Sequence, residues 1–176
     1  MELLDLCSLE TWAKLEDDIF ERSGLNSAVY DVDGIRINST LRFPNRLCPE
    51  IKSNPKGQSF ICATAHMNLA NMARQSGDAV IEECDAGLFK LVVPIIVDGT
   101  FLGAAGGCGT LLDDGEVDAF LVNKTTDIAE EQVEALSEGT PVTSSQAAEA
   151  LAEFVKLRID RIISDYQAKK ENRSQG

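Results

Sequence analysis

Cys48, Cys62 and Cys84 fall within one 37-residue stretch, and Cys108 follows in the run Ala104-Ala105-Gly106-Gly107-Cys108-Gly109. Thiols are soft metal ligands and redox-active nucleophiles, so folding could gather these four into a metal site or an oxidation sensor. Buried free cysteine also packs as a small hydrophobe. The only histidine, His66, stands four residues after Cys62, and on a helix those positions share a face. A Cys62 sulfur and a His66 nitrogen could then bind one metal, with Cys48, Cys84 or Cys108 completing the shell. An ion, an iron–sulfur cluster or a haem are the cofactors such a set could hold. The spacings match no zinc-ribbon pattern, no CxxC pair occurs, and the absence of CxxCH excludes a c-type haem. The plainer alternative packs Cys62 with Ala65, Leu69 and Ala73 and leaves His66 at a polar edge of the core.

Catalytic signals are weaker. The glycine run from Gly103 to Gly109 lacks the Gly-Lys-Ser/Thr ending of a phosphate loop, and small residues at a strand end more often admit a close backbone or leave room for a ligand. Glu82, Glu83 and Asp85 have no partnered histidine, nucleophile motif or acidic triad. Ser144-Ser145 reads as a helix cap. No enzyme signature survives, and the expectation is a non-catalytic protein.

Composition narrows the class. The chain has 176 residues, 44% of them hydrophobic, and suits one domain with an extended terminal helix. The longest apolar run, Leu91 to Val97, is too short to span a bilayer. The Met-Glu-Leu-Leu-Asp start lacks the basic and apolar regions of a secretory signal, and five cysteines are odd in number, so a cytoplasmic protein with reduced thiols is expected. Net charge is −13, unevenly spread: residues before Lys156 carry ten basic against 26 acidic side chains, and the remainder carries six against three. So acidic a body repels phosphate backbones and anionic lipid, which argues against nucleic-acid and membrane partners.

The elements that must position these residues follow from pattern and caps. A helix runs from Ser8, its cap, to about Arg22, with Leu9, Trp12, Leu15, Ile19 and Phe20 at helical spacing and Gly24 as C-cap. Ala28–Tyr30 and Ile35–Asn38 flank Asp33-Gly34 as a hairpin. A short helix carries Leu47, Cys48 and Ile51. A longer one spans about Gln58 to Gln75, with Phe60, Ile61, Ala65, Leu69, Met72 and Ala73 as its apolar positions. Val80–Cys84 is a strand. Leu88–Val97 and Thr100–Ala105 form a second hairpin around Asp98-Gly99, with Pro94 at an edge or bulge. Two short helices, Glu116–Thr125 and Ile128–Ser137, follow, the second capped by Asp127. A last helix runs from Ser144 or Ser145 to about Ala168, with Ala148, Leu151, Val155, Ile159, Ile162 and Tyr166 as an apolar seam. That seam either covers its own domain or pairs with a second copy across a two-fold axis. The sum is an α+β domain: a curved antiparallel sheet of about five strands, helices on one face, and N- and C-terminal helices, as in PAS and GAF sensors.

Taken together, these residues resemble the PocR sensory domain, a PAS-variant module of bacterial regulators, histidine kinases and chemoreceptors. The resemblance runs from the N-terminal helix and Asp31-Val32-Asp33-Gly34 through Cys48, Cys62 and Cys84-Asp85-Ala86-Gly87-Leu88. It continues in Pro94-Ile95, Asp98-Gly99, Leu102-Gly103 and Gly106-Gly107, and closes with Pro141-Val142-Thr143-Ser144. It implies a sensory domain over residues 1–143 and a signalling or dimerisation helix over residues 144–176. It also implies a small-molecule pocket between sheet and helices, shaped by Cys48, Cys62, Cys84, Gly87 and Leu88. Asp85 stands where members commonly have histidine, so the ligand's identity does not carry over. The leading expectation is a cytoplasmic small-molecule sensor acting as a homodimer on an unidentified output protein. The alternative is a cysteine-ligated metal, iron–sulfur or haem redox sensor using Cys48, Cys62, Cys84, His66 and Cys108.

Overall fold

Caps and turns set the element boundaries. In the computed structural model, which describes residues 1–174, a short helix α1 (Leu3–Leu6) precedes α2 (Leu9–Ser23). The Ser8 hydroxyl accepts from Thr11 N at 3.3 Å, and Gly24, at φ 70°, donates to Phe20 O at 2.7 Å. Four strands follow in the chain: β1 (Asn26–Asp31), β2 (Val80–Glu83), β3 (Phe89–Val97) and β4 (Thr100–Cys108). They form one antiparallel sheet in the order β1-β4-β3-β2. At the β3–β4 hairpin Asp98 and Gly99 both have positive φ, 50° and 78°, the combination a two-residue type I′ turn requires. β2 starts at Val80, opposite Val92, so Pro94 lies beyond it, next to a register shift at Ile95/Ile96. Its missing N–H therefore costs no ladder bond.

The main sheet has four strands, not five. Ile35–Asn38 adds only an isolated bridge, Tyr30 to Arg36. The Asp31 carboxylate accepts from Asp33 N and Ile35 N, so the chain is held in a side-chain-closed turn that competes with a continuous ladder. A separate two-stranded parallel pair, β5 (Leu111–Leu112) and β6 (Val142–Thr143), anchors the start of the last helix.

Two cores sandwich the sheet. On one face Leu91, Val93, Ile95 and Val29 pack against Trp12, Leu15 and Ile19 of α2 and against α7 (Ser145–Ser174). Each such aliphatic side chain contributes roughly 1.5–3 kcal/mol when buried. On the other face Val92 and Ala104 meet Leu69, Ala70 and Ala73 of α4 (Thr64–Ser76). β3 is therefore covered on both sides, which explains its nearly unbroken apolar run. β4 is thin by necessity: a Cβ on Gly106 would sit 1.9 Å from Leu91 O, and one on Gly103 2.1 Å from Tyr30 O. The seam of α7 is turned inward, with Ala148, Leu151, Val155 and Ile159 buried in the first core and Ile162 and Tyr166 packed at its margin.

The remaining helices build a side lobe. α3 (Leu47–Ser53), α5 (Ala119–Thr126) and α6 (Glu130–Ser137) pack around Ala86 and Leu88. Two details depart from expectation. Asp127 is not the cap of α6; it ends α5 in the left-handed region at φ 65° and pairs with Lys56 at 2.7 Å. The helix expected over Gln58–Gln75 begins as a π-helical segment, Gly57–Ala63, before α4. The wider turn changes which side chains face inward: Ile61, Ala65, Leu69 and Ala73 are buried, whereas Phe60 and Met72 are exposed.

Candidate functional site

Strand register builds the floor of the site. Asn26 of β1, Cys108 of β4 and Lys90 of β3 stand in one row across the sheet, with Tyr30 four residues along β1 on the same face. Ala28 and Gly106 occupy the next row and leave space above the sheet. The opposite wall comes from Cys48 and Ile51 of α3, Ile61 and Cys62 of the π segment, and Ala65 and His66 of α4. Together with Cys84, Ala86, Leu88 and Arg36 they line a cavity of about 100 Å³. π segments inserted in helices often mark functional sites, and this one supplies Gln58, Ile61 and Cys62 to the lining.

Four free cysteines, Cys48, Cys62, Cys84 and Cys108, line this one space. Asn45 holds Cys48 by donating to its Sγ at 3.2 Å and accepting from its N–H at 2.7 Å. Cys84 starts a tight turn in which Gly87 N donates to Cys84 O at 2.8 Å and Cys84 N to Leu88 O at 2.9 Å. Burial pushes Cys84 up to about 11, against smaller lowering by backbone N–H groups of Leu88 and Ala86. Burial raises Cys48 and Cys62 as well, so near neutral pH these are thiols and not thiolates.

The polar groups are less expected. His66 is buried, stacks on Tyr30 with ring centroids 3.7 Å apart, and leaves Nδ1 without a hydrogen-bond partner. Burial, then the positive charges of Lys90 and Arg36, lower it to about 3, so it is neutral at physiological pH. Lys90 is 6% exposed. Burial pulls its ammonium down, but Tyr30 and the sulfurs of Cys108, Cys84 and Cys62 outweigh this and leave it raised. Arg36 donates from one terminal nitrogen to Thr40 O at 2.6 Å and from the other to Asn26 Oδ1 at 3.1 Å, while its Nε is buried and unpaired.

Of the residues singled out in the sequence, Cys48, Cys62, Cys84, Leu88, His66 and Cys108 share the cavity. Asp85 is exposed at the tip of the turn, outside the lining. Gly87 also stays outside; it has φ 75°, and a Cβ there would meet Glu116 O at 2.2 Å, so it shapes the turn that presents Cys84 and Leu88. Lys90, Tyr30, Asn26, Arg36, Lys52 and Gln58 were missed. Only Lys90 carried a signal: one charge inside the run Leu88-Phe89-Lys90-Leu91-Val92-Val93.

The metal expectation finds no ligand cluster to support it. Among the described residues no three His, Cys, Asp or Glu side chains gather closely enough to hold a metal ion. Cys48, Cys62, Cys84 and Cys108 come from four different segments, and His66 stacks on the Tyr30 ring. No helix among the described residues is long and apolar enough to cross a membrane.

The model of one protein family, the sensory domain found in PocR, matches residues 5–166. The chain belongs to the PocR sensory-domain family. No curated protein and no solved structure matches it. In this PocR domain the matched span takes in nearly all of both cores, the whole cavity wall and α7 as far as Tyr166.

Proposed function

We propose that this PocR domain binds a small molecule in the cysteine-lined cavity and passes the binding event to its terminal helices without catalysing a reaction. The observation that carries the reading is a cavity between sheet and helices, lined by four thiols and by unpaired polar atoms of Arg36 and His66, in a member of a sensory family. Buried polar groups without partners are uncommon in proteins and are expected where a ligand supplies the missing bond. A binding role needs no activated nucleophile, in keeping with the neutral thiols and neutral histidine.

A physical route leads from cavity to terminal helices. Asn26 Oδ1 accepts from Arg36 inside the cavity and from Arg42 N at 3.1 Å, and the Arg42 guanidinium pairs with Asp17 of α2. On the same helix Glu16 accepts from Val29 N at 2.8 Å and Asn38 Nδ2 at 2.9 Å, and Asp18 pairs with Arg158 of α7 at 2.5 Å. A ligand that recruits Arg36 or Asn26 would bias this chain; only a difference in affinity between two arrangements can do so. The expected homodimer belongs to the proposal through a different surface. The seam being buried, the outward face of α7, where Leu157 is exposed, is left for a second copy. A cytoplasmic setting without nucleic-acid or lipid partners fits the −13 charge.

Thermal shift against short diols, aldehydes and acids tests binding, and fluorescence of the single, buried Trp12 on α2 tests transmission. At least one class should raise the melting temperature at millimolar concentration and change Trp12 emission. Ligand-free behaviour throughout the panel removes the binding reading. A melting shift with α2 and α7 unchanged, in fluorescence and in hydrogen exchange, removes the signalling reading.

A further inference from the structure

The cavity's charge runs against that of the whole protein. A chain with 29 acidic and 16 basic residues lines this space with Arg36, Lys52 and Lys90 and with no aspartate or glutamate. Lys90 is the decisive member. It points from the floor of the sheet, is 6% exposed, and among the described residues forms no ion pair. Glu82 stands opposite it in the β2–β3 register, but that side chain is exposed and joins no ion pair. The Lys90 ammonium instead lies over the Tyr30 ring, 5.7 Å from its centroid. An ammonium removed from water without a counter-charge is costly, and such groups normally pair.

The neighbouring cations are also incompletely answered. Arg36 keeps a buried Nε free, and Lys52 donates only to the neutral Gln58 Oε1, at 2.8 Å. No carboxylate lines the cavity to answer them. Ile51, Ile61 and Leu88 add a buried apolar stretch to the same wall. One end of the guest must therefore satisfy a cation, and the other must satisfy aliphatic carbon.

We propose that the ligand is a small organic anion, a carboxylate on a short apolar chain, whose charge is met by Lys90 with help from Arg36. This rests on the binding role proposed above and narrows it from small molecules in general to anions. Binding is reversible and forms no covalent bond. Lys90 and Arg36 supply N–H donors to the carboxylate, and such charge-assisted bonds are about twice as strong as neutral ones.

Propionate and 1-propanol make a matched pair for calorimetric titration, because they share a chain and differ in charge. Wild-type protein should bind propionate at least about tenfold more tightly than 1-propanol, the scale of a buried charge-assisted hydrogen bond. Lys90→Met should abolish that preference and leave the ligand-free melting temperature equal or higher, because the substitution removes a buried unpaired charge. Equal or tighter binding of 1-propanol by the wild type overturns the anion assignment and leaves the sensory reading intact. Binding of neither compound, nor of any acid, diol or aldehyde in the wider panel, overturns the binding role itself. Should Lys90→Met not fold, the wild-type comparison decides alone, with Arg36→Gln as a second variant that should weaken propionate more than 1-propanol.

Discussion

Lowering the pH from 7 to 5 should destabilise the domain through one side chain, His66. In the unfolded chain this histidine titrates near its ordinary 6.5, whereas in the fold it is lowered to about 3 by burial and by Lys90 and Arg36. Between those values the unfolded state carries a proton that the folded state refuses, so stability falls as pH falls, starting near 6.5 and continuing towards 3. Proton linkage over the interval from pH 7 to pH 5 gives a loss of about 2 kcal/mol. Glu16 works in the opposite sense. Burial raises its carboxyl against hydrogen bonds from Val29 and Asn38, so the fold accepts a proton there sooner than the unfolded chain does. The comparison must therefore be a difference: urea unfolding of wild type and His66→Gln at pH 7, 6 and 5. The variant loses the stack on Tyr30 at every pH, but its stability should fall by about 2 kcal/mol less over the interval. Parallel pH profiles for the two proteins would refute the assignment of a buried neutral imidazole.

Two further outcomes follow from packing and burial. Gly106→Ala forces a Cβ to within 1.9 Å of Leu91 O and should cost at least about 2 kcal/mol in urea denaturation. Gly99→Ala meets nothing within 4 Å and should cost only the left-handed backbone strain, about 1 kcal/mol; similar losses would contradict the close approach of β3 and β4. With Cys84 raised to about 11 from 9.0, its thiolate fraction at pH 8 is roughly 100-fold below that of an ordinary thiol. An aromatic disulfide reagent should therefore count five thiols quickly in urea, but react slowly at the cavity cysteines of the native protein. Prompt native labelling of Cys84 would show that its surroundings are open to water.

Local chemistry made much of the fold readable. Ser8, Gly24 and the Asp98-Gly99 turn act through their own backbone and neighbours, and each starts, ends or joins an element where its chemistry predicts. What escaped depends on distant partners. Ile35–Asn38 has strand-like residues and makes two backbone bonds to β1, yet the Asp31 carboxylate takes the Ile35 N–H and the pairing stops at one bridge. Asp127 reads as a cap, but its φ and its Lys56 partner come from the tertiary fold. The cysteines drew attention as residue types, whereas their gathering around one cavity was implied only by the family resemblance. Tyr30, Asn26 and Arg36 gave no warning, because alternation along a strand cannot distinguish a residue under a helix from one under a cavity.

The π segment from Gly57 to Ala63 has an evolutionary consequence. Each residue of a regular helix advances about 100° around its axis, so deleting one amino acid here could close the wide turn and rotate Gln58, Ile61 and Cys62 relative to His66. Every side chain around the guest would keep its identity while the chamber acquired a new shape. A lineage could thus retune what it detects by a three-base deletion, leaving the sheet floor and the outgoing helices untouched.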